Sequence, residues 1–529
     1  MTELPAAAIE AARERNHAVI DEMLRELPDD DARSIERVMR LFAEFSSIPR
    51  PSKREEFITD YLRRFAHERG LIVREDRAMN AGGAANLLLC TPAALDAPRQ
   101  RVVTLQAHTD MVCQPPAIGV NLEPIELVLG HDEAGDRCLH ANGTTLGADN
   151  GLGAALALAA LEAAQGGSLV APPLEVLLTI DEETGLNGAK DLDGTLFRGR
   201  TLINIDGGPE GQFILGCADS RQRTIRWSMA MSEASAAVGL RVSFSALPGG
   251  HSGIDIHLGI PSANKLLAGA LRAAGVGRVA RVAFVEGGEK SNAIATASQA
   301  LLVFETAAAR DHAATAIANW YEGERAATSR LAKALCRVEE APAESALSLE
   351  DSARVMRILD GIPHGVLRAA ENGDPLASNN FSLLRGEVAG GRLHIDITVM
   401  ARGIGADDSQ NVMDAVLGLA AETGGESGPE NGSAGWVPSE DSALRRVCEE
   451  VWNGLSFPEF PHRARCYTIH AGVECGVIAG RVRAATGEEL DMVSCGPRIE
   501  DLHTVRERTY PQSIVRFWVF LRALLRALN

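Results

Sequence analysis

RVVTLQAHTDMV, residues 101–112, is the stretch from which the rest of the chain can be read. An apolar strand, RVVTLQ, runs straight into an imidazole, His108, and a carboxylate, Asp110, with one threonine between them. A rigid strand end holds a ligand-bearing side chain well. At such an end, positions i and i+2 face the same side. Asp110 can therefore accept a hydrogen bond from His108 and hold its tautomer.

The pattern repeats outward. From about 72 to 206, short apolar strands (LIVRED, NLLLCT, RVVTLQ, LEVLLTI, TLINID) alternate with helices, including one over 151–164. Leucine-rich and β-branched strands with helices between them predict an α/β fold, its sheet covered on both faces. Upstream, residues 30–70 read as helix interrupted by SSIPRPS, whose prolines force an extended turn. Near 219 the pattern changes. Residues 240–246 alternate like a half-exposed strand, a helix follows at about 261–274, and further alternating strands fall at 281–286, 299–305 and 392–399. These predict a smaller α+β domain, ending in a Gly/Ser-rich linker, GGESGPENGSAGW, 424–436. The expected organisation is a discontinuous catalytic domain, 1–218 and 436–529, with 219–435 inserted into it. Strand order does not follow from the pattern.

The bulk numbers agree. At 529 residues the chain is too long for one ordinary core. Hydrophobic residues at 46% and charged residues at 23% describe a globular protein. A formal charge of -19 argues against nucleic acid and against anionic membrane surfaces. Nine scattered cysteines with no CxxC pair read as reduced structural thiols. The N-terminal MTELPAAAIEAARERNHAVIDEML lacks the basic-then-apolar order of a signal peptide. The most apolar helix, GLGAALALAALEAA, is too short to span a bilayer and contains Glu162. A cytoplasmic protein is expected.

Four polar clusters follow apolar stretches: His108 and Asp110; Asp149 in TTLGADNGLG; Asp181, Glu182 and Glu183 after LEVLLTI; and Asp206 at the end of TLINID. In open α/β sheets, sites form at the carboxyl ends of strands. Taken singly, each cluster is an ordinary turn or surface feature. Together and in this order they suggest one site, and a histidine with several carboxylates suits zinc-like divalent ions. Two such ions need a bridging carboxylate and a shared water, which leaves a carboxylate for proton transfer. Glu182 and Glu183 are adjacent, so in an extended segment they diverge. One can bind metal while the other points at the water.

The ordered segments LQAHTDMV, GTTLGADNGLGAALAL, TIDEETGLNGAK, LINIDG, GGHSGIDIH, HAGVECG and GPRIEDLHT resemble the aminoacyl-histidine dipeptidases of the di-zinc M20 metallopeptidase family. The resemblance runs from about IPRPSKREEF to the C-terminus. It implies a catalytic domain with a mixed, mostly parallel sheet flanked by helices, carrying an inserted α+β lid and dimerisation domain. It implies that His108 binds one metal, that Asp149 bridges two, that Glu183 binds the second, that Asp206 completes the first, and that His503 is the closing ligand. It makes Glu182 the general base and Asp110 the partner of His108, and it marks the bond before Asn150 as a candidate cis peptide. His470, in TIHAGVECG, competes for the closing position by residue type; the resemblance favours His503 and leaves His470 as a substrate contact. His251 matches a histidine that reaches the scissile carbonyl from a partner subunit, an oxyanion-type role. Asn292 and Arg402 match positions that grip the substrate, arginine being apt for a carboxylate. His257 reads as structural.

The implied cofactors are two divalent ions, Zn2+ foremost, with Mn2+ or Co2+ able to serve. The implied activity is hydrolysis of Xaa-His and related unblocked dipeptides by a metal-bridging water, in a homodimer formed through the lid. The alternative is an amidohydrolase with the same centre acting on N-acyl or N-carbamoyl amino acids. A scaffold protein with a dead site would have lost a ligand or the base, and every position is filled. GLGAALA is no dinucleotide fingerprint, since it lacks GxGxxG and follows an Asp-Asn turn. The chain departs from the family around the substrate residues: HTVRE stands for the common HSPDE, VMARGIG for an Arg-Ser pair, and SNNFSLLR and LINIDGGPEG also differ.

Overall fold

The computed structural model describes residues 6–76, 83–234, 238–405, 407–439, 441–460 and 462–529. The chain divides into two compact units. One comprises Met1–Gly216, Pro438–Thr468 and Val473–Asn529; the other comprises Cys217–Val437 and Ile469–Gly472.

The first unit is built on an eight-stranded sheet. Its order is Ile72–Glu75, Leu87–Cys90, Leu174–Thr179, Val103–His108, Thr201–Asn204, Asp491–Ser494, Gln212–Cys217 and Arg465–Ile469. The four central strands, from Leu174–Thr179 to Asp491–Ser494, are parallel. The first three strands pair antiparallel, and Gln212–Cys217 runs antiparallel to Asp491–Ser494. Every residue of Val103–His108 and Leu174–Thr179 is buried, as expected of parallel strands covered on both faces. The register sets His108 beside Thr179 and Gln106 beside Asn204. The chain thus leaves three neighbouring strands at one edge, where the polar clusters begin.

Helix Ala148–Gln165 lies on Val103–His108 and Leu174–Thr179 and against helix Asp29–Ser47. Its alanines and leucines are buried from 152 to 161, so it reads apolar on all sides. Its first turn is not helical, with Asp149 at ψ 108° and a cis Asp149–Asn150 peptide. A second, four-stranded sheet joins Leu127–His131, Arg137–Ala141, Arg508–Thr509 and Ile499–Glu500. The sequence pattern did not announce it. It matters because the loop between its two C-terminal strands carries His503.

The second unit holds an antiparallel sheet whose long strands, Asp219–Glu233, Pro375–Ala389 and Arg392–Gly403, pair with one another. Helices Ala263–Ala273, Ala307–Ala327, Leu349–Gly361 and Asp408–Glu422 pack on strands of this unit. The alternating segments read from sequence fall in Val238–Ser245, Ala280–Gly287, Ser298–Phe304 and Arg392–Gly403. The expected linker over 424–436 is corrected. Glu426–Ser427 and Asn431–Ser433 pair with Asp219–Glu233. Glycine serves close approach there: a Cβ on Gly432 would stand 1.9 Å from the Ser220 carbonyl.

Candidate metal centre

The polar clusters of the first unit converge. Asp149 stands between two histidines and turns one oxygen to each. Its Oδ1 lies 3.1 Å from His108 Nε2, and its Oδ2 lies 3.1 Å from His503 Nε2. On the His108 side, Asp206 Oδ1 is 3.5 Å and Glu182 Oε2 3.9 Å from Nε2. On the His503 side, Glu183 Oε1 is 3.0 Å from Nε2. Two donor triads result, His108–Asp149–Asp206 and Asp149–Glu183–His503, with Asp149 common to both. The loop bearing His503 holds it at φ 62°, with its side chain 47% exposed, whereas His108 is fully enclosed.

Charge makes the case for cations. Among the described residues, no lysine or arginine bonds to Asp149, Glu182, Glu183 or Asp206. Buried carboxylates without counter-charge either take up protons or hold metal. Burial and the charge of Asp149 push Glu183 up to about 7. Burial lifts Asp206 to about 7 as well, against the pull of His108. Glu182 is raised well above the carboxylate range by burial, His108 opposing and Glu183 adding. Asp149 goes the other way: burial resists, but the hydrogen bonds from His108 and His503 outweigh it. Burial likewise lowers His503, yet Asp149 and Glu183 prevail and push it up to about 11. The histidines thus stand in for missing positive charge. Imidazole and carboxylate donors at these separations fit two divalent cations.

Three buried side chains brace this arrangement. The Asp110 carboxylate is 3.4 Å from His108 Nδ1, while the Asp110 carbonyl is 3.2 Å from the same nitrogen. That carboxylate also accepts the backbone N–H groups of Glu182 (3.0 Å) and Glu183 (3.2 Å), fixing the turn that carries both. Arg50, 1% exposed, donates to the carbonyls of Thr109, Asp110 and Gly147. Glu507 accepts the N–H groups of Leu146, Gly147 and Asp149 at 3.0, 3.1 and 3.2 Å. Beneath the site, Glu474 is fully buried and accepts from Gln106 and Thr179. Sequence reasoning missed Arg50, Glu507 and Glu474 as site residues. The signal for the last was an acid inside the HAGVECG segment, of which only the histidine was weighed.

The second unit gathers the four substrate candidates around residues 251–253. His251 Nδ1 accepts the N–H groups of Gly253 (3.2 Å) and Ile254 (3.0 Å), which places its proton on Nε2. The Asn292 carbonyl accepts the Ser252 N–H at 2.8 Å. Arg402 Nη2 reaches Ser252 Oγ at 3.4 Å and Met400 Sδ at 3.2 Å; both are weak partners for a guanidinium. Arg402 is 5% exposed, and burial draws it down to about 10. His470 bonds Ser378 Oγ at 2.7 Å, and its carbonyl abuts Gly253. Burial and the charge of Arg402 hold it down at about 4, so it is neutral.

Comparison with known proteins shows the family of the chain. Residues 104–527 match peptidase family M20/M25/M40. The chain is 30% identical over 493 residues to the cytosol non-specific dipeptidase of Escherichia coli K12, covering 92% of this chain and 96% of that protein. The crystal structure of aminoacylhistidine dipeptidase from Vibrio alginolyticus superposes with a TM-score of 0.73 at 28% identity, covering 93% of this chain and 96% of the other. A tripeptidase from Staphylococcus aureus shares the fold, with a TM-score of 0.54 at 16% identity over 93% of this chain and 98% of its own. Among the described residues, no helix is long and apolar enough to cross a membrane.

Proposed function

Because the chain belongs to peptidase family M20/M25/M40, we propose that it is a metal-dependent dipeptidase hydrolysing Xaa-His and related unblocked dipeptides. The observation that carries the reading is Asp149, whose two oxygens face two different histidines. In this proposal His108, Asp149 and Asp206 hold one ion, and Asp149, Glu183 and His503 hold the other. Zn2+ suits the donors best, and Mn2+ or Co2+ can replace it. Bound there, the pair would supply Lewis acidity to the scissile carbonyl and to an attacking water.

The chain's own residues do the rest. Glu182 takes the proton of the attacking water and returns it to the leaving amine. Its burial supports this, since a carboxylate raised above its ordinary range is a stronger base. Asp110 holds the His108 ring and the Glu182–Glu183 turn together. His251, Asn292, Arg402 and His470 are assigned to substrate recognition. Arg402, buried with only weak partners, is suited to the substrate carboxylate. His251, carrying its proton on Nε2, is suited to the developing oxyanion.

The proposal includes a homodimer formed through the second unit and a cytoplasmic location. Its sheet ends in the edge strand Leu335–Glu340, with Leu335 47% exposed, which supports pairing there.

The test is amino-acid release from β-alanyl-histidine, alanyl-histidine, glycyl-leucine, a tripeptide and an N-acetyl amino acid. Metal-stripped protein is used before and after zinc, manganese or cobalt is restored. Metal-restored cleavage of the dipeptides alone is the expected result. Cleavage of the N-acetyl substrate alone would replace this reading with the amidohydrolase.

A further inference from the structure

Three ligand-bearing strands are tied together below the site by a buried polar chain. Asn204 Nδ2 donates to Gln106 Oε1 at 2.5 Å. Gln106 Nε2 donates to Glu474 Oε2 at 2.6 Å, and Thr179 Oγ1 donates to the same oxygen at 2.9 Å. All four side chains are fully buried. Each partner sits on a different strand: Gln106 on Val103–His108, Thr179 on Leu174–Thr179 and Asn204 on Thr201–Asn204. Gln106 precedes His108 by two positions, and Asn204 precedes Asp206 by two, so each shares a face with the ligand above it. Thr179 opens the turn that delivers Glu182 and Glu183. Glu474 comes from elsewhere, as the first residue of helix Glu474–Thr486.

We infer that Glu474 is a positioning residue for the metal ligands. One carboxylate oxygen, accepting from two strands and through Gln106 from a third, fixes the lateral spacing of three strand ends. A fully buried carboxylate is costly to desolvate, and hydrogen bonds that order a neighbouring site are a reason to keep one. Its second oxygen, Oε1, has no hydrogen-bond partner among the described residues. Fixing spacing therefore needs only the Oε2 acceptor. This inference rests on the metal-holding reading of His108, Asp206 and Glu183.

The two readings separate in one experiment. Metal-stripped wild type, Glu474→Leu, Glu474→Gln and Thr179→Val are titrated with zinc by calorimetry. The cobalt-loaded forms are compared by visible absorption, and thermal melting is followed by circular dichroism. Glutamine can present its amide oxygen at the Oε2 position and turn its NH2 toward the vacant side, so it should keep wild-type affinity and spectrum. Leucine should weaken zinc binding roughly 10–100-fold and shift the cobalt bands. Thr179→Val, which removes one donor and retains the shape, should shift the bands in the same direction, and it stands as the test if the leucine variant does not fold.

Wild-type affinity and bands in Glu474→Leu, or in Thr179→Val where only that variant folds, would overturn the inference. So would a lower melting temperature with unshifted bands, which marks a merely structural residue. A glutamine variant as damaged as leucine would overturn it too, by showing that charge matters and the hydrogen bonds do not. Wild type that takes up no metal would sink the metal-centre reading itself.

Discussion

Replacing Glu507 with alanine should loosen the loop that presents Asp149 while leaving the rest of the first unit intact. Glu507 is 2% exposed, and its two oxygens accept three backbone N–H groups, from Leu146, Gly147 and Asp149. Alanine leaves all three unpaired. A buried donor left unsatisfied costs about 1–3 kcal/mol. Water entering the vacated space recovers part of that, so about 3 kcal/mol is a fair net loss. Because 1.4 kcal/mol is tenfold in an equilibrium, local opening should become roughly a hundred times more frequent.

The assay is hydrogen exchange by mass spectrometry on metal-stripped protein, following peptides over 144–152 against control peptides from helix Pro511–Ala527. Glu507→Gln should fall between, since one oxygen can still take Leu146 and Gly147 while the amide NH2 confronts the Asp149 N–H. Exchange over 144–152 within about threefold of wild type in the alanine variant, less than 1 kcal/mol by the same conversion, would refute the reasoning. It would mean that Arg50, which holds the Gly147 carbonyl from the other side, suffices alone.

Glu182→Gln should lower kcat by roughly 10²–10⁴-fold while two ions still bind, read by turnover and metal content. Arg402→Lys should cost about 1.5–3 kcal/mol in kcat/KM toward a dipeptide and almost nothing toward its C-terminal amide. Zinc binding at pH 7 should release about three protons, one each from His108 and His503 and about half each from Glu183 and Asp206, read by calorimetry in buffers of different ionisation heat. Stability of the metal-free protein should fall as pH rises from 5 to 8. Glu55 (about 8), Glu183, Asp206 and Glu507 (about 7) are acids whose folded values are raised. Their contribution is full below the ordinary carboxylate range and is lost as pH passes 7 to 8; His503 acts in the same direction between its ordinary value and about 11. A melting temperature that rises over that window would contradict this.

His108, Glu182, Glu183 and Asp206 were legible because each follows an apolar strand, and the sheet delivers such strands to one edge; Asp149 opens the apolar helix Ala148–Gln165 instead. His503 was not legible by periodicity. Its loop hangs between two-residue strands, Ile499–Glu500 and Arg508–Thr509, too short to leave a pattern, and only the resemblance of GPRIEDLHT pointed to it. Glu474 and Glu507 were silent for another reason. Their meaning lies in partners 295 to 368 positions away, and nothing local distinguishes a buried acceptor from a solvated acid. Arg50 read as part of a proline turn, although its partners lie 59 to 97 positions on. The 424–436 segment misled because glycine and serine mark flexible linkers and tight strand pairing alike.

The two halves of the Asp149 bridge have a temporal consequence. Asp149 and His503 are 354 positions apart, so the loop that carries His503 and Glu507 is made long after Asp149. At about 5–20 residues per second, a ribosome spends tens of seconds with the strands of the sheet emerging and the second triad still lacking its histidine. A nascent chain that has not reached His503 therefore lacks the second donor triad.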